Sequence, residues 1–393
     1  MSWNREMRRG FFLIYQAFLH IFAVAGLVLV GGFFAVRFHL TDVKGGVDPR
    51  NGEYQQPIVL GTETDQAVVS SGSSDSFAQL DRRLAELSRK RSLRARNLCG
   101  IGILGGYAPA SARSVLGALD MTDSDQVTAK MLLAAKIRLE ESGHPDPFGS
   151  CDDGSANVSD ESVLRSLYGN ASGASLFPWM NDKEWSTIRS AIVKDRDAID
   201  RAASAAGIEP RLLVSCAIVE QLRLFHSQRE LFEKVFEPLK ILGNANKISL
   251  GVMGIKDAAA AETEAHLSDP SSPYYLGPEY RNLLDYPAGA DVSSARYARL
   301  TEDGDHYYSY LYGALYLRQM LEQWKKAGYD IVYRPEIAVT LFNVGFPQSK
   351  PNADPKVGGS SISVGDASYS FGSLGYEFYY SGELLDAFPY VVN

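Results

Sequence analysis

Glu220 is the only charged residue in the run Leu212–Leu222, LLVSCAIVEQL. An apolar setting disfavours the ionised form of a carboxyl group and raises its pKa. Such a group can hold its proton near neutral pH and give it to a leaving oxygen. Cleavage of a glycosidic bond needs an acid of that kind. The competing reading is a structural ion pair. Arg223 lies three residues on, within reach across one helical turn. That pairing would favour the ionised carboxylate, and the helix alone leaves both readings open. Downstream stands SLGVMGIK, Ser249 to Lys256, a turn built on two glycines.

The elements that must position these residues read mostly as helices. Residues 182–206 form a helix of mixed polarity with Gly207 suited to its C-terminal cap. Pro210 opens the apolar helix, where its missing N–H is no loss. On that helix Glu220 shares a face with Leu213, Cys216, Ala217 and Leu224. Residues 257–267 are Ala-rich and helical, and 268–300 read as a long surface loop. Residues 307–328 make an amphipathic helix with Leu311, Leu315, Leu317, Leu321 and Trp324 on its apolar side. Pro335 opens a last core helix that ends at Asn343–Gly345. The tail, 346–393, is rich in Gly, Ser and Tyr, and fits either helix or short hairpins.

Residues 205–350 resemble the lysozyme-like lytic transglycosylases, the group that includes the soluble lytic transglycosylases and goose-type lysozymes. In that family a catalytic Glu near the end of a buried helix precedes a Ser-x-Gly-x-Met-Gln turn. A Gly-x-x-Tyr-Leu helix follows, and then a helix ending Tyr-Asn-Ala-Gly. The matching residues here are Glu220; Ser249, Gly251 and Met253; Gly313, Tyr316 and Leu317; and Phe342, Asn343 and Gly345. The chain departs from the pattern at Gln221, Gly254 and Phe342, and in a longer gap between Glu220 and Ser249. The resemblance implies a mainly α, lysozyme-like domain over 179–393 that cuts the MurNAc–GlcNAc bond of peptidoglycan. It makes Glu220 the acid and then the base, with Ser249, Gly251, Met253, Tyr316 and Asn343 at the substrate. The nucleophile is the muramic 6-hydroxyl, so neither a second carboxylate nor a cofactor or metal is implied. Asp257 and Asp305 are the alternative acids if water is the nucleophile. A glycan-binding or scaffold protein on the same fold is the other expectation.

The N-terminal part supplies a location. Arg5, Arg8 and Arg9 precede an apolar run from Phe11 to Val36 broken only by Gln16 and His20. As a helix the run would be ~39 Å long, enough to cross a ~30 Å hydrocarbon core. Its basic flank puts the N-terminus in the cytoplasm and the main domain in the periplasm, on an inner-membrane single-pass anchor. A cleavable signal peptide is the competing reading, with Ala23-Val24-Ala25 as the cleavage site. The apolar run continues beyond that point, however. The anchor and its cytoplasmic stub occupy 1–40. Residues 41–75 are polar and aperiodic and read as a flexible linker spanning ~30–35 Å root-mean-square. A helical extension follows over 76–178. Its predicted helices are 76–96, 110–119 and 125–142, the last capped by Asp123 or Ser124 and the first two separated by the Gly-rich break CGIGILGGYAP. Gly100, Gly102 and Gly105 spell GxGxxG without a preceding strand, which gives no nucleotide site. The CDDG run lacks EF-hand spacing and reads as a turn.

Bulk composition excludes some partners. The 393 residues are 45% hydrophobic and 22% charged, with a net charge of -8. That is globular composition with no basic footprint for nucleic acid. The expected partners are peptidoglycan strands, the membrane and other envelope proteins. Cys99, Cys151 and Cys216 fit no zinc pattern. Cys216 reads as a buried hydrophobe, and Cys99 and Cys151 as a disulfide if exported or free thiols if cytosolic.

Overall fold

A computed structural model of the chain describes residues 15–16, 18–20, 22–24, 26–27, 45–54, 93–152, 160–226, 249–302 and 304–391. The fold is mainly helical, and among the described residues its strands form three two-stranded antiparallel sheets. The first elements are β1 (Gly46–Val47), α1 (Asn51–Tyr54), α2 (residues 93–107), α3 (Pro109–Thr122), α4 (Asp125–Glu141) and α5 (Glu161–Tyr168). Next come α6 (Trp185–Lys194), α7 (Arg196–Ala206), α8 (Pro210–His226), β2 (Ser249–Leu250), β3 (Ile255–Lys256) and α9 (Asp257–Ser268). The last are α10 (Val292–Thr301), α11 (Tyr307–Lys326), α12 (Pro335–Val344), β4 (Gly358–Gly359), β5 (Ser361–Val364), β6 (Ala367–Ser370) and α13 (Phe371–Tyr380).

Helix α8 is the axis of the fold. Every side chain from Arg211 to Glu220 is buried, the mark of a helix enclosed by others rather than lying on a surface. It packs against α6, α7, α11, α12 and α13. The backbone carbonyl of Glu209 accepts from the amides of Leu212 and Leu213 and starts the helical ladder. Ser124 caps α4 by accepting from the amide of Val127 at 3.3 Å. Gly207 ends α7 in the left-handed conformation at φ 67°. The single helix expected over 182–206 is divided at Asp195 into α6 and α7.

Other differences from expectation each have a packing reason. The Gly-rich stretch 99–109 is no break, because α2 continues to residue 107. A Cβ on Gly100 would press on Leu132, and one on Gly105 would enter the Tyr168 ring. These glycines therefore let α2 approach α4 and α5 closely. Cys99 and Cys151 form a disulfide that ties α2 to a one-turn helix, Gly149–Asp152, that follows α4. The stretch 268–300 contains α10, whose Arg296 and Leu300 are buried. The stretch expected as a linker includes β1 and α1, which dock on the C-terminal part: Gly46 pairs with Gly359 and Val47 with Gly358.

The Gly/Tyr-rich C-terminal segment is core rather than tail. Strands β5 and β6 form a hairpin, and α13 then runs through the interior with Phe371, Leu374, Tyr376 and Phe378 buried. Buried Arg211 gathers the C-terminal turns, donating to the carbonyls of Phe378, Tyr379, Glu383 and Phe388. The boundary expected near 178 is crossed by α13. Its buried Glu377 pairs with Arg138 of α4 and accepts from Trp179 Nε1 at 3.2 Å. Among the described residues, no helix is long and apolar enough to cross a membrane. Most of the apolar run 11–36, and residues 55–92, which include all but the last four residues of the helix expected over 76–96, lie outside the described residues; residues 93–96 open α2.

Candidate functional site

Glu220 sits in the next-to-last turn of α8 with 4% of its surface exposed. Its carboxylate is held by Arg223, which donates Nε to Oε2 at 2.9 Å and Nη2 to Oε1. A forked pair of this kind is among the stronger charge-assisted contacts. The ion pair expected from the i, i+3 spacing is therefore formed. One turn earlier, Cys216 is wholly buried. Burial and the Glu220 charge push its thiol well above the ordinary value, so it is no nucleophile.

The SLGVMG stretch comes directly against this carboxylate. Ser249 pairs with Lys256 and Leu250 with Ile255, making a small hairpin with its turn at 251–254. Gly251 and Gly254 both have positive φ, 64° and 59°, a region that costs a residue with a Cβ roughly 1–2 kcal/mol. A Cβ on Gly254 would overlap the Glu220 carboxylate and lie 2.6 Å from Cγ. A Cβ on Gly251 would meet the Leu300 carbonyl and lie 2.7 Å from Ser309 Oγ. Gln221 ties helix to turn by donating Nε2 to the Val252 carbonyl at 2.7 Å. Two departures from the family pattern, Gln221 and Gly254, thus meet in one junction. Gln221 holds the turn, and the bare Gly254 leaves room for the acid beneath it.

From the turn the contacts continue into α11 and α12. Met253 has no exposed surface and packs where a Cβ on Gly313 would lie, 2.7 Å from its Cε. Tyr316, one turn further along α11, is 5% exposed. Its ring meets Phe342 at 5.6 Å and Phe346 at 4.6 Å between centroids, and its hydroxyl abuts Gly345. Burial pushes that hydroxyl above its ordinary value. Met253 and Tyr316, expected at the substrate, are instead packing residues, because protein covers both. Asn343 spends its Oδ1 on the β4–β5 junction, accepting from Ser360 N at 2.8 Å and Ser360 Oγ at 3.0 Å. Ser249 is described by its backbone pairing, and Gly251 is exposed at the turn.

The two alternative acids are engaged elsewhere. Asp257 opens α9 and is 3.4 Å from Arg296 Nη1. Asp305 is on the surface, where it caps the amide of Tyr307 and lies 3.4 Å from Arg201. Sequence reasoning missed the cluster behind Asp257. Glu264 accepts from Arg296 Nε at 2.9 Å, Arg296 Nη2 at 2.6 Å, Tyr286 Oη at 2.6 Å and Tyr312 Oη. Burial raises the Glu264 carboxyl, but these hydrogen bonds and the Arg296 charge outweigh it and leave the group below its ordinary value. The signal was faint: four residues from three segments, with no shared spacing. Among the described residues no cluster of His, Cys, Asp and Glu could hold a metal ion. No protein-family model, no curated protein and no solved structure matches this chain.

Proposed function

We propose that the protein is a membrane-anchored, lytic transglycosylase-like enzyme that cuts the MurNAc–GlcNAc bond of peptidoglycan, with Glu220 as acid and base. The observation that carries this reading is the spatial run Glu220–Gly254, Met253–Gly313, Tyr316–Gly345. Motif positions that resemble the family in order along the chain also adjoin one another across four elements. In this mechanism protonated Glu220 gives its proton to the glycosidic oxygen as the C1–O bond breaks. The resulting carboxylate takes the proton of the muramic 6-hydroxyl as that oxygen bonds to C1, closing a 1,6-anhydro ring. No water is consumed. The forked Arg223 pair occupies both oxygens of the carboxyl group, so a bound strand must displace Arg223 before Glu220 can reach the glycosidic oxygen. The Cys99–Cys151 disulfide supports an exported domain. Large apolar side chains exposed on the described helical residues of the N-terminal run, such as Phe22 and Leu27, support a lipid anchor for residues 11–36, with the N-terminus cytoplasmic.

One observation favours a second reading. The forked Arg223–Glu220 pair satisfies the carboxylate without substrate, as suits a glycan-binding or scaffold protein that does no chemistry. Purified sacculi separate the two. The enzyme reading expects turnover by the wild type, lost in Glu220→Gln with sacculus binding retained. Binding without turnover by the wild type establishes the second reading, and absence of both refutes each.

A further inference from the structure

We propose that residues 46–54 clamp the polypeptide to the folded body, so that only residues 37–45 tether the body to the bilayer and the β1–β4 edge faces the lipid. This rests on the membrane anchor proposed above. The clamp has several parts. Gly46 and Val47 pair with Gly359 and Gly358. The amide of Asp48 donates to the Val357 carbonyl at 2.7 Å, and the amide of Val357 donates to Asn51 Oδ1 at 2.6 Å. The Asp48 carboxylate accepts from the Arg50 amide at 2.9 Å, and the Arg50 guanidinium bridges Asp48 to Glu141 of α4. Tyr54 is 3% exposed, with its ring edge-on to Tyr376 of α13 at 5.1 Å. These contacts span three elements of the body, from α4 to α13.

The consequence is a short leash. The apolar run ends at Val36 and the clamp begins at Gly46. A stretch of nine residues, 37–45, reaches at most ~30 Å. Without the clamp the tether would run to residue 75, the end of the expected linker, ~34 Å on average for a flexible chain of that length. Chain beyond Tyr54 then adds nothing to the reach. The Asn343 end of α12 borders this edge, because Gly359 lies between Asn343 Oδ1 and Gly45. The glycan available to the molecule is therefore that within about one body width, ~50 Å, of the membrane.

Energy transfer in nanodiscs tests the clamp. Lys356→Cys places a dye beside Val357 on a side chain that is 47% exposed. The native thiols do not compete, since Cys99 and Cys151 are bonded and Cys216 is buried. The full chain carries this dye and the lipids carry the acceptor. A flexible insert of about thirty Gly/Ser residues between Lys44 and Gly45 adds a segment of ~30 Å mean span to the tether and lowers transfer. The same insert between Ser70 and Ser71 leaves transfer unchanged. Equal loss from the two inserts overturns the clamp while leaving the anchor standing. Failure of the full chain to enter nanodiscs overturns the anchor, and the clamp proposal with it.

Discussion

Gly254→Ala probes the junction on which the site depends. Two costs add at this position. At φ 59° an L-residue carries roughly 1–2 kcal/mol of backbone strain. The new methyl also overlaps the Glu220 carboxylate, and overpacking of a tight contact costs about 1–3 kcal/mol. The total expected loss is therefore roughly 2–5 kcal/mol in urea unfolding. A double-mutant cycle separates the parts. Glu220→Ala alone removes the carboxylate from its forked pair with Arg223, whose side chain is only 12% exposed, and should itself destabilise the fold. With Glu220 already truncated, Gly254→Ala should cost only the backbone strain. The cycle should then show at least ~1 kcal/mol of coupling, above the additivity error of separated sites. Gly254→Ala within ~0.5 kcal/mol of wild type, or a strictly additive cycle, would refute the juxtaposition.

Three further outcomes follow from particular contacts. Burial pushes the Glu377 carboxyl up and the Arg138 charge pulls it back, leaving it above its ordinary value. A carboxyl raised in the folded state contributes stability at acid pH that is lost as pH climbs through the folded value. Arg138→Met should therefore cost about 3–5 kcal/mol near neutrality and distinctly less in acid, read from urea midpoints at the two pH values; equal costs at both would contradict the pairing. Reduction of Cys99–Cys151, which closes 52 residues of separation, should remove about 4 kcal/mol by loop entropy, seen as a lower melting temperature under reductant. Gln221→Leu leaves the Val252 carbonyl without its side-chain donor and should cost about 1–3 kcal/mol, with faster amide exchange confined to the 251–254 turn.

Helices with a strong local signature were legible in the sequence. Pro210, Pro335 and the Leu/Trp spacing of 307–326 match α8, α12 and α11 closely, because caps and apolar periodicity are short-range properties. The Glu220 ion pair was legible for the same reason, since three residues on a helix suffice to bring in Arg223. Long-range packing was not legible. Gly100 and Gly105 look like a break until Leu132 and Tyr168 are brought against them. The polar stretch at 46–54 has no period, yet its backbone and the Asn51 side chain find partners more than 300 residues away in β4 and Val357. Residues 371–380 read as tail because Gly, Ser and Tyr are weak helix signals; Arg211 and Glu377 show how thoroughly the core encloses them. Met253 and Tyr316 were expected at the substrate by resemblance, whereas burial makes them props of the turn and of α12.

The most direct test of the account is the mass of the fragments released from purified sacculi by the wild-type protein. Glu220 acting through the muramic 6-hydroxyl yields disaccharide peptides ending in a 1,6-anhydro ring, lighter by one water than hydrolysed ends, and Glu220→Gln releases none. Release of hydrolysed ends would move the nucleophile from the sugar to water. No release, or equal release by Glu220→Gln, would contradict the assignment of chemistry to Glu220.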